Sequence, residues 1–533
     1  MRKAIGIFVA TAVLITLSWA WRGLPVAMRA DALPAGAKLP CVSYAPFRGS
    51  QTPLDPATVI PPEQIEQDLA KLSRLTSCVR IYSVDMGLDR VPEIAARHNL
   101  QVLLGIWISR EARRNQEQVA AGVAIANRHP DTVRAIIVGN EVLLRGEQSV
   151  EGLAAIIAAV RSQTKVPVTY ADVWEFWLQN RQLAAGVDFV TVHILPYWED
   201  IPIPAHAAAD HTAEIRQRVA RAFPGKDILI GEAGWPSQGR MREGARPSPI
   251  AQAQVLHDLL ARARAENFKI NLIEALDQPW KRHLEGTVGG YWGLLDNDRA
   301  EKFAWGQPVS NVPLWPWQAV AGLGMAALVF GLGLAGAARP LHRLPLETVV
   351  ALGLVAGSAG CFAGDAVQAA MTEALGWIGG MRSLMQARIA VGVPMIAAAA
   401  LGRGAALPSL VEVIGPQELR RRDGLSRLLG LCVIVTCLVA IESALGLVFN
   451  ARYLDFPYAA LTSAILPLLV LSVRFGTRPA KPRVAEAVIA AILLPSAVKV
   501  VWAETLANWQ AVWVCAAFLL LAFTLVRASL ARN

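Results

Sequence analysis

The chain has 533 residues, of which 54% are hydrophobic and 17% charged, with a formal net charge of +9 and a mean hydropathy of +0.38. That composition excludes a protein soluble along its whole length. It does not point to nucleic acid either. Arg339 and Arg343, Arg403, Arg420-Arg421-Arg422, and Arg474, Arg478, Lys481 and Arg483 form islands between apolar spans. This is the distribution of cytoplasmic loops in a membrane protein, so no nucleic-acid partner is expected.

From the N-terminus, Met1-Arg2-Lys3 opens an apolar stretch that runs to Trp21. It reads as an uncleaved anchor helix or as a signal peptide. The length of the span and the poor small-residue site at Ser18-Trp19-Ala20-Trp21 favour the anchor, although Ala30-Asp31-Ala32 would also suit a peptidase. Either reading exports the domain that begins near residue 38, and residues 1–37 are assigned to the anchor and a linker.

Residues 38–312 have the charged helices and short apolar strands of a globular domain. Strands are expected at 41–44, 78–82, 101–106, 135–138, 167–170, 189–193, 227–230 and 270–274. Helical patterns fall between them, at 63–75, 113–127, 150–163, 212–222 and 250–266. Eight strands alternating with helices predict an α/β fold, a (β/α)8 barrel rather than an open doubly wound sheet. No Gly-rich phosphate loop follows the first strand, so no dinucleotide or other cofactor is expected. Cys41 and Cys78 each open a predicted strand. They are either a disulfide or two buried thiols, and no Cys/His spacing points to a metal site.

Chemistry in such barrels gathers at the C-terminal strand ends. There the sequence offers Tyr44, Arg80, Tyr82, Asn140, Glu141, Asp172, Trp174, His193, Tyr197, Trp198, Glu232, Trp235, Glu274, Asp277, Trp280 and Lys281. Carboxylates and aromatic rings dominate. Flat rings pack on pyranose faces and carboxylates bond hydroxyls, whereas a phosphate substrate would call for more Arg and Lys. Two strands end in similar strings: Val138-Gly139-Asn140-Glu141, and Gly231-Glu232-Ala233-Gly234-Trp235-Pro236-Ser237. Paired carboxylates at strand tips are what the cleavage of a glycosidic bond requires.

Those two strings, with Arg80-Ile81-Tyr82, His193-Ile194-Leu195-Pro196-Tyr197 and Asp277-Gln278-Pro279-Trp280-Lys281, resemble glycoside hydrolase family 17, the β-1,3-glucanases and β-1,3-glucan transferases. The resemblance covers roughly residues 38–306 and implies a (β/α)8 fold and a retaining mechanism. It implies Glu141 as acid/base and Glu232 as nucleophile, with Asn140 on the sugar 2-hydroxyl and Tyr197 orienting Glu232. Trp235 and Trp280 would line the cleft, and Tyr44, Arg80, Tyr82, His193, Glu274, Asp277 and Lys281 would complete the substrate-binding set. Gln278-Pro279 departs from the Glu-Asn that many plant members carry, and residues 284–292 resemble bacterial members tied to the assembly of periplasmic β-glucans. The implied partners are a β-glucan chain and a membrane glucan synthase.

Other residues have plainer readings. Asp172 and Glu175 either bond sugar hydroxyls or cap a helix starting near Trp174, with capping the favoured reading, and His193 reads as either a core histidine or a catalyst. His206, His211 and His257 are expected on the surface. The loop 238–249, with Arg240, Arg242 and Arg246, reads as a solvated lid.

Residues 313–533 form an all-α membrane domain with seven expected spans, near 315–337, 346–368, 384–402, 427–448, 457–474, 485–502 and 511–527. With Arg2 and Lys3 inside, the Arg-rich loops all fall inside and residues 38–312 outside. The expected location is therefore a multi-pass protein of the inner (plasma) membrane, its lipid bilayer the partner of these spans, with the catalytic domain on the periplasmic side. Asp365, Glu442, Lys499 and Glu504 are the polar exceptions and are expected to pair or to line a vestibule. The sequence thus predicts a retaining enzyme that remodels, branches or cyclises exported β-1,3-glucan. A pure endo-β-1,3-glucanase, or a glucan-binding component of a synthesis and export complex, is the alternative.

Overall fold

The computed structural model describes residues 2–414, 423–450, 452–475 and 484–530. The basic residues Arg420-Arg421-Arg422, Arg478, Lys481 and Arg483 lie outside the described residues. The chain divides into two compact units. One is Val26–Gly239 with Gly244–Val309; the other is Met1–Pro25, Arg240–Glu243 and Ser310–Asn533.

The first unit is a closed barrel of eight parallel strands in sequential order. They are β1 (Val42–Ser43), β2 (Cys78–Ile81), β3 (Gln101–Ile106), β4 (Val133–Asn140), β5 (Val168–Val173), β6 (Val190–His193), β7 (Ile228–Ala233) and β8 (Lys269–Leu272). Val42 pairs with Val79 on one side and Leu272 on the other, which closes the ring. Helices Pro62–Leu75, Ala112–Arg128, Val150–Arg161, Ala208–Ala222 and Pro249–Ala265 stand between strands. Ser149 and Ser248 cap two of them, accepting from Gly152 N and Ala251 N, each at 3.1 Å.

Alternation along each strand sorts the side chains. Val79, Ile81, Ile136 and Val138 belong to the large core under the helices. Cys41, Cys78, Leu103, Ala135, Ile137 and Leu229 form a separate small cluster, which reads as the filling of the barrel interior. Counting by twos from that filling toward the C-terminal ends reaches Ser43, Arg80, Tyr82 and Gly139. The lumen therefore turns polar where the strands end. Cys41 and Cys78 form a disulfide with Cα atoms 4.3 Å apart at the start of β1 and β2.

Two expectations for this unit need correction. His257 is fully buried rather than on the surface. Its Nδ1 donates to Ala253 O at 2.6 Å, and its Nε2 accepts from Gly306 N at 2.9 Å. Burial lowers its pKa. Asp172 does not cap the following helix, whose cap position carries no side-chain bond. Its carboxylate accepts from the Tyr170 hydroxyl and from the backbone of Leu143 (3.3 Å), Leu144 (3.4 Å) and Val173 (2.8 Å), which fixes the chain just after Glu141.

The second unit contains, among the described residues, 8 helices long and apolar enough to cross a membrane. They are Arg2–Arg22, Trp315–Ala335, Leu346–Glu373, Gly376–Arg403, Gly424–Phe449, Tyr458–Phe475, Val484–Glu504 and Trp509–Arg527. Gly376–Arg403 starts well before the expected 384, because Arg382 remains helical and pairs with Glu442 at 3.6 Å. Small residues let the helices approach closely. A Cβ on Gly322 would lie 2.4 Å from Gly360 O, and one on Gly402 would lie 2.0 Å from Gly333 O. Trp19 Nε1 donates to Gly360 O at 3.1 Å, which ties the first helix into the bundle.

The polar exceptions are partnered. Asp365 pairs with Arg22, Glu504 with Arg240, and Lys499 Nζ lies 4.7 Å over the Trp502 ring. The Arg240–Glu504 pair overturns the solvated-lid expectation for the middle of loop 238–249. Arg240 is buried, donates to Leu454 O and stacks 4.2 Å over Phe456. Asn508 Nδ2 holds Met241 O at 2.9 Å.

Candidate active site

The mouth of the barrel is organised around Arg80. Its side chain is 1% exposed and comes from the inward face of β2. Nη1 donates to Gly231 O at 2.7 Å and lies 3.2 Å from His193 Nε2 and 3.4 Å from Glu232 Oε1. Nη2 donates to Asn140 Oδ1 at 2.6 Å. One fixed cation thus ties β2 to the ends of β4, β6 and β7. The close fit explains Gly231, where a Cβ would lie 2.5 Å from Thr191 Cγ2 and 3.3 Å from Arg80 Nη1.

Glu232 is buried on β7. The Tyr82 hydroxyl lies 2.8 Å from its Oε1 and 2.8 Å from Ser43 Oγ. A phenol has one proton, and the carboxylate is the stronger acceptor, so Tyr82 donates to Glu232 and accepts from Ser43. Ser43 in turn accepts from Asn271 Nδ2 at 2.8 Å. Burial, with the Glu232 charge behind it, raises the Tyr82 pKa well above that of an ordinary phenol, so the phenol keeps its proton and remains a donor.

Glu141 follows β4 in the left-handed region, with φ 53°, after Gly139 at φ 85°. Such a conformation is uncommon for a residue with a side chain and is held here by the Glu141 N–H, which donates to Ala171 O at 2.8 Å. His193 Nδ1 lies 2.7 Å from Glu141 Oε1. A guanidinium only donates, so His193 Nε2 accepts from Arg80, the ring proton sits on Nδ1, and Nδ1 donates to Glu141. Burial pushes the Glu141 carboxyl up, but the His193 hydrogen bond, with Arg80 and Arg145 behind it, brings it below the usual carboxylate value. In the free site Glu141 is therefore ionised.

Oxygen atoms of Glu141 and Glu232 and a ring nitrogen of His193 all lie within 4.8 Å of one another. Three such donors are a geometry a metal ion accepts. Arg80 places a permanent cation among them and engages His193 Nε2, which opposes a second positive charge.

The remaining residues divide. Glu274 is buried, and both its oxygens accept from Lys281 Nζ, at 2.8 and 2.9 Å. Burial raises its pKa to about 7 against the pull of Lys281, with Glu285 and Glu232 adding to the rise. Trp280 is partly exposed, its Nε1 on Gln278 Oε1 at 2.8 Å and its ring edge-on to Phe47 at 6.0 Å.

Four expected contacts are placed elsewhere. Tyr44 is buried in the core with its hydroxyl on Asp68 Oδ2 at 3.2 Å, because β1 turns Ser43 inward and Tyr44 outward. Trp235 is fully buried, its Nε1 on Arg246 O at 3.1 Å. The Tyr197 ring is buried edge-to-face among Trp198, Trp235 and Trp292, while Tyr82 supplies the 2.8 Å contact to Glu232. Asp277 is buried on Lys302 Nζ (2.6 Å) and Gly293 N (2.9 Å). Sequence reading missed Arg145 and Trp107. Arg145 Nε donates to Asn140 O at 3.0 Å, and its guanidinium lies 4.3 Å over the Trp107 ring. The position of Trp107 just past β3 was the available signal.

Residues 41–293 match the model of the BtgE/BtgC glycoside hydrolase domain. The barrel carries this match along all eight of its strands. It is homologous to the glucan 1,3-β-glucosidases of glycoside hydrolase family 17. The btgC protein of Aspergillus niger is 29% identical over 294 residues, covering 49% of this chain and 42% of its own length. A glucan 1,3-β-glucosidase of Schizosaccharomyces pombe is 27% identical over 252 residues, covering 44% of this chain and 78% of its own. The chain thus spans about two fifths of the first of these curated relatives. Among solved structures, an active-site mutant of a Rhizomucor miehei β-1,3-glucanosyltransferase in complex with laminaritriose aligns at TM-score 0.45 and 23% identity. It covers 52% of this chain and 98% of that one.

Proposed function

We propose that the protein is a retaining β-1,3-glucan glycosidase of the transferase type, held in a membrane by its helical unit. The observation that carries the reading is the Glu141–Glu232 pair, with an oxygen of each inside 4.8 Å. Double displacement uses carboxyl groups ~5–5.5 Å apart, whereas direct attack by water needs about 6.5–9.5 Å. The relatives named as glucan 1,3-β-glucosidases and β-1,3-glucanosyltransferase support a β-1,3-glucan as substrate.

In the first step Glu232 attacks the anomeric carbon and forms an ester. The bond to the leaving glucan breaks, and the Glu141 proton passes to the leaving oxygen. In the second step water or a glucan hydroxyl attacks the same carbon, Glu141 takes its proton, and Glu232 is released. Tyr82 and Arg80 aim Glu232. His193 occupies Glu141 Oε1, leaving Oε2 for the glycosidic oxygen. Glu141 starts ionised in the free site and takes up a proton as bound sugar displaces water, since desolvation favours the neutral acid.

The helical unit supports a membrane setting. If successive spans alternate in direction, the exposed rings of Trp21, Trp317, Trp377 and Trp502 fall at one end of the bundle. Arg2, Lys3, Arg339, Arg343, Arg403, Arg427, Arg474 and Arg527 fall at the other. Interfacial tryptophans on one side and arginines on the other match an inner (plasma) membrane with the Arg end in the cytoplasm. The barrel then works on the extracytoplasmic, periplasmic side, where a membrane synthase would deliver its glucan. Tethering at the site of export favours remodelling, branching or cyclisation over free degradation.

The test is to incubate the full chain, in lipid nanodiscs, with linear β-1,3-gluco-oligosaccharides and to read product masses and linkages. Products longer than the substrate, or branched or cyclic, establish transfer. Shorter products alone establish an endo-β-1,3-glucanase, and binding without turnover leaves a glucan-binding component of a synthesis complex.

A further inference from the structure

The turn that carries Glu141 is held from the neighbouring strand by groups that the proposed reaction does not itself use. Between Ile137 and Asn140 strand β4 advances three residues while β5 advances two, from Thr169 to Ala171. The extra residue makes a bulge, which re-aims the end of the strand. Gly139 and Glu141 both have positive φ there, 85° and 53°, and residues 141–147 wind into one tight turn. Glu141 O accepts from Arg145 N at 2.8 Å, Leu143 O from Gly146 N at 3.0 Å, and Val142 O from Glu147 N at 3.0 Å.

A turn of this kind opens with backbone N–H groups that have no partner inside it. Two of them, on Leu143 and Leu144, point at Asp172 of β5. Asp172 Oδ2 accepts from Leu143 N at 3.3 Å, from Leu144 N at 3.4 Å and from the Tyr170 hydroxyl, which itself accepts from Leu143 N at 3.0 Å. Oδ1 accepts from Val173 N at 2.8 Å. Between these two residues, Ala171 O accepts from Glu141 N at 2.8 Å. Three successive residues of β5 therefore grip the chain at Glu141 and just beyond it.

Tyr170 and Asp172 are at most 1% exposed, so neither reaches the sugar, and both act on it only through Glu141. Four donors on two oxygens suit a carboxylate. An amide has a single acceptor oxygen, so asparagine at position 172 would turn an NH2 group toward Val173 N or toward the Leu143 and Leu144 N–H groups. A left-handed backbone at a residue with a side chain persists only where its surroundings over-determine it. Loosening the grip lets Glu141 relax and carries its carboxyl away from the glycosidic oxygen.

We propose that Asp172, together with Tyr170, is a positioning residue for the general acid, clamping the Glu141 turn so that the carboxyl meets the leaving oxygen. The proposal rests on the assignment of Glu141 as acid/base.

The consequence is selective. Cleavage of a glucan bond needs the Glu141 proton on the departing oxygen. A glycosyl fluoride forms the same ester with Glu232 as its C–F bond breaks, and fluoride leaves without a proton. The test measures kcat/KM of the full chain in lipid nanodiscs on a linear β-1,3-gluco-pentasaccharide and on the β-fluoride of β-1,3-linked glucotriose, at pH 7. Burial raises Asp172 to about 6, so it is ionised at that pH. In Asp172→Asn the pentasaccharide-to-fluoride ratio should fall at least about tenfold, since a displacement of about 1 Å at a reacting group costs up to about 100-fold. The ratio does not depend on how much of the variant folds. Tyr170→Phe keeps its ring on Trp177, at 5.5 Å, and should lower the ratio in the same direction; it decides the question if Asp172→Asn yields no folded protein. Glu141→Gln is the reference. If it lowers the ratio while Asp172→Asn loses both substrates equally or neither, the clamp is only structural and the proposal is overturned. If Glu141→Gln itself leaves the ratio unchanged, the acid assignment fails, and the proposal with it.

Discussion

Replacing Tyr82 with phenylalanine removes one atom from the candidate site, and its effect can be estimated. The hydroxyl lies 2.8 Å from Glu232 Oε1, while the other two groups near that oxygen, Arg80 Nη1 and His193 Nε2, are at 3.4 and 3.6 Å. Tyr82 thus makes the closest of these contacts to the proposed nucleophile. A hydrogen bond to a charged acceptor is worth about 1.5–3 kcal/mol. If its worth lies in holding the attack geometry, kcat should fall by roughly 10- to 150-fold, with KM little changed. The ring remains, so packing against Arg80, whose guanidinium is 4.7 Å over it, is retained. Ser43 loses its acceptor but keeps Asn271. The assay is steady-state kinetics on a β-1,3-gluco-oligosaccharide, with a thermal melt to show that the fold is unchanged. A Tyr82→Phe protein that melts normally and turns over at the wild-type rate would refute the assignment of Tyr82 as the group that positions Glu232. Tyr197→Phe serves as the contrast, because its ring keeps its place in the aromatic cluster, and kcat should stay near the wild-type value.

Two further outcomes are expected. Gly231→Ala pushes a methyl group to 2.5 Å from Thr191 Cγ2 and 3.3 Å from Arg80 Nη1; overpacking of this kind costs about 1–3 kcal/mol, so the melting temperature should fall and activity should drop with the displaced guanidinium, whereas a normal melt and full activity would contradict the close packing described. The barrel should also be less stable at pH 8 than at pH 5. Burial raises Asp172 and Asp277 to about 6 and Glu274 to about 7, so all three hold protons in the folded state that the unfolded chain has released. Stability is then fully present below the ordinary carboxylate range and lost as pH rises through these values. Melts followed by tryptophan fluorescence should show the decline, and a rise between pH 5 and 8 would oppose it.

Where sequence pattern and structure agree, the information is local. The runs Ala135–Val138 and Ile228–Ile230 are buried strands, and each ends in a glycine that allows a glutamate to face the mouth. Arg80 and Tyr82 follow Cys78 by twos, so their inward direction was already in the pattern. The same count places Tyr44 outward, and attending only to its position at the strand end hid that. Trp235, Tyr197 and Asp277 lie beyond the strands, where no period applies. Their burial is decided by Arg246, Trp292 and Lys302, which lie on other segments at no fixed spacing. The long-range choice of Tyr82 rather than Tyr197 as the close neighbour of Glu232 is of the same kind, as is the burial of His257 by Gly306. The Arg240–Glu504 pair spans 264 positions, and a loop rich in arginine gives no local sign of such a partner.

The central claim is that Glu232 becomes covalently attached to glucose during turnover. A β-1,3-linked glucoside with fluorine at C2 and an activated leaving group slows the second step more than the first and should leave one glycosyl unit on the protein. Peptide mass analysis should place that unit on Glu232, and its yield should fall when Tyr82 is replaced by phenylalanine. A label on Glu141, or no label together with inverted anomeric configuration in the first product formed, would contradict the account.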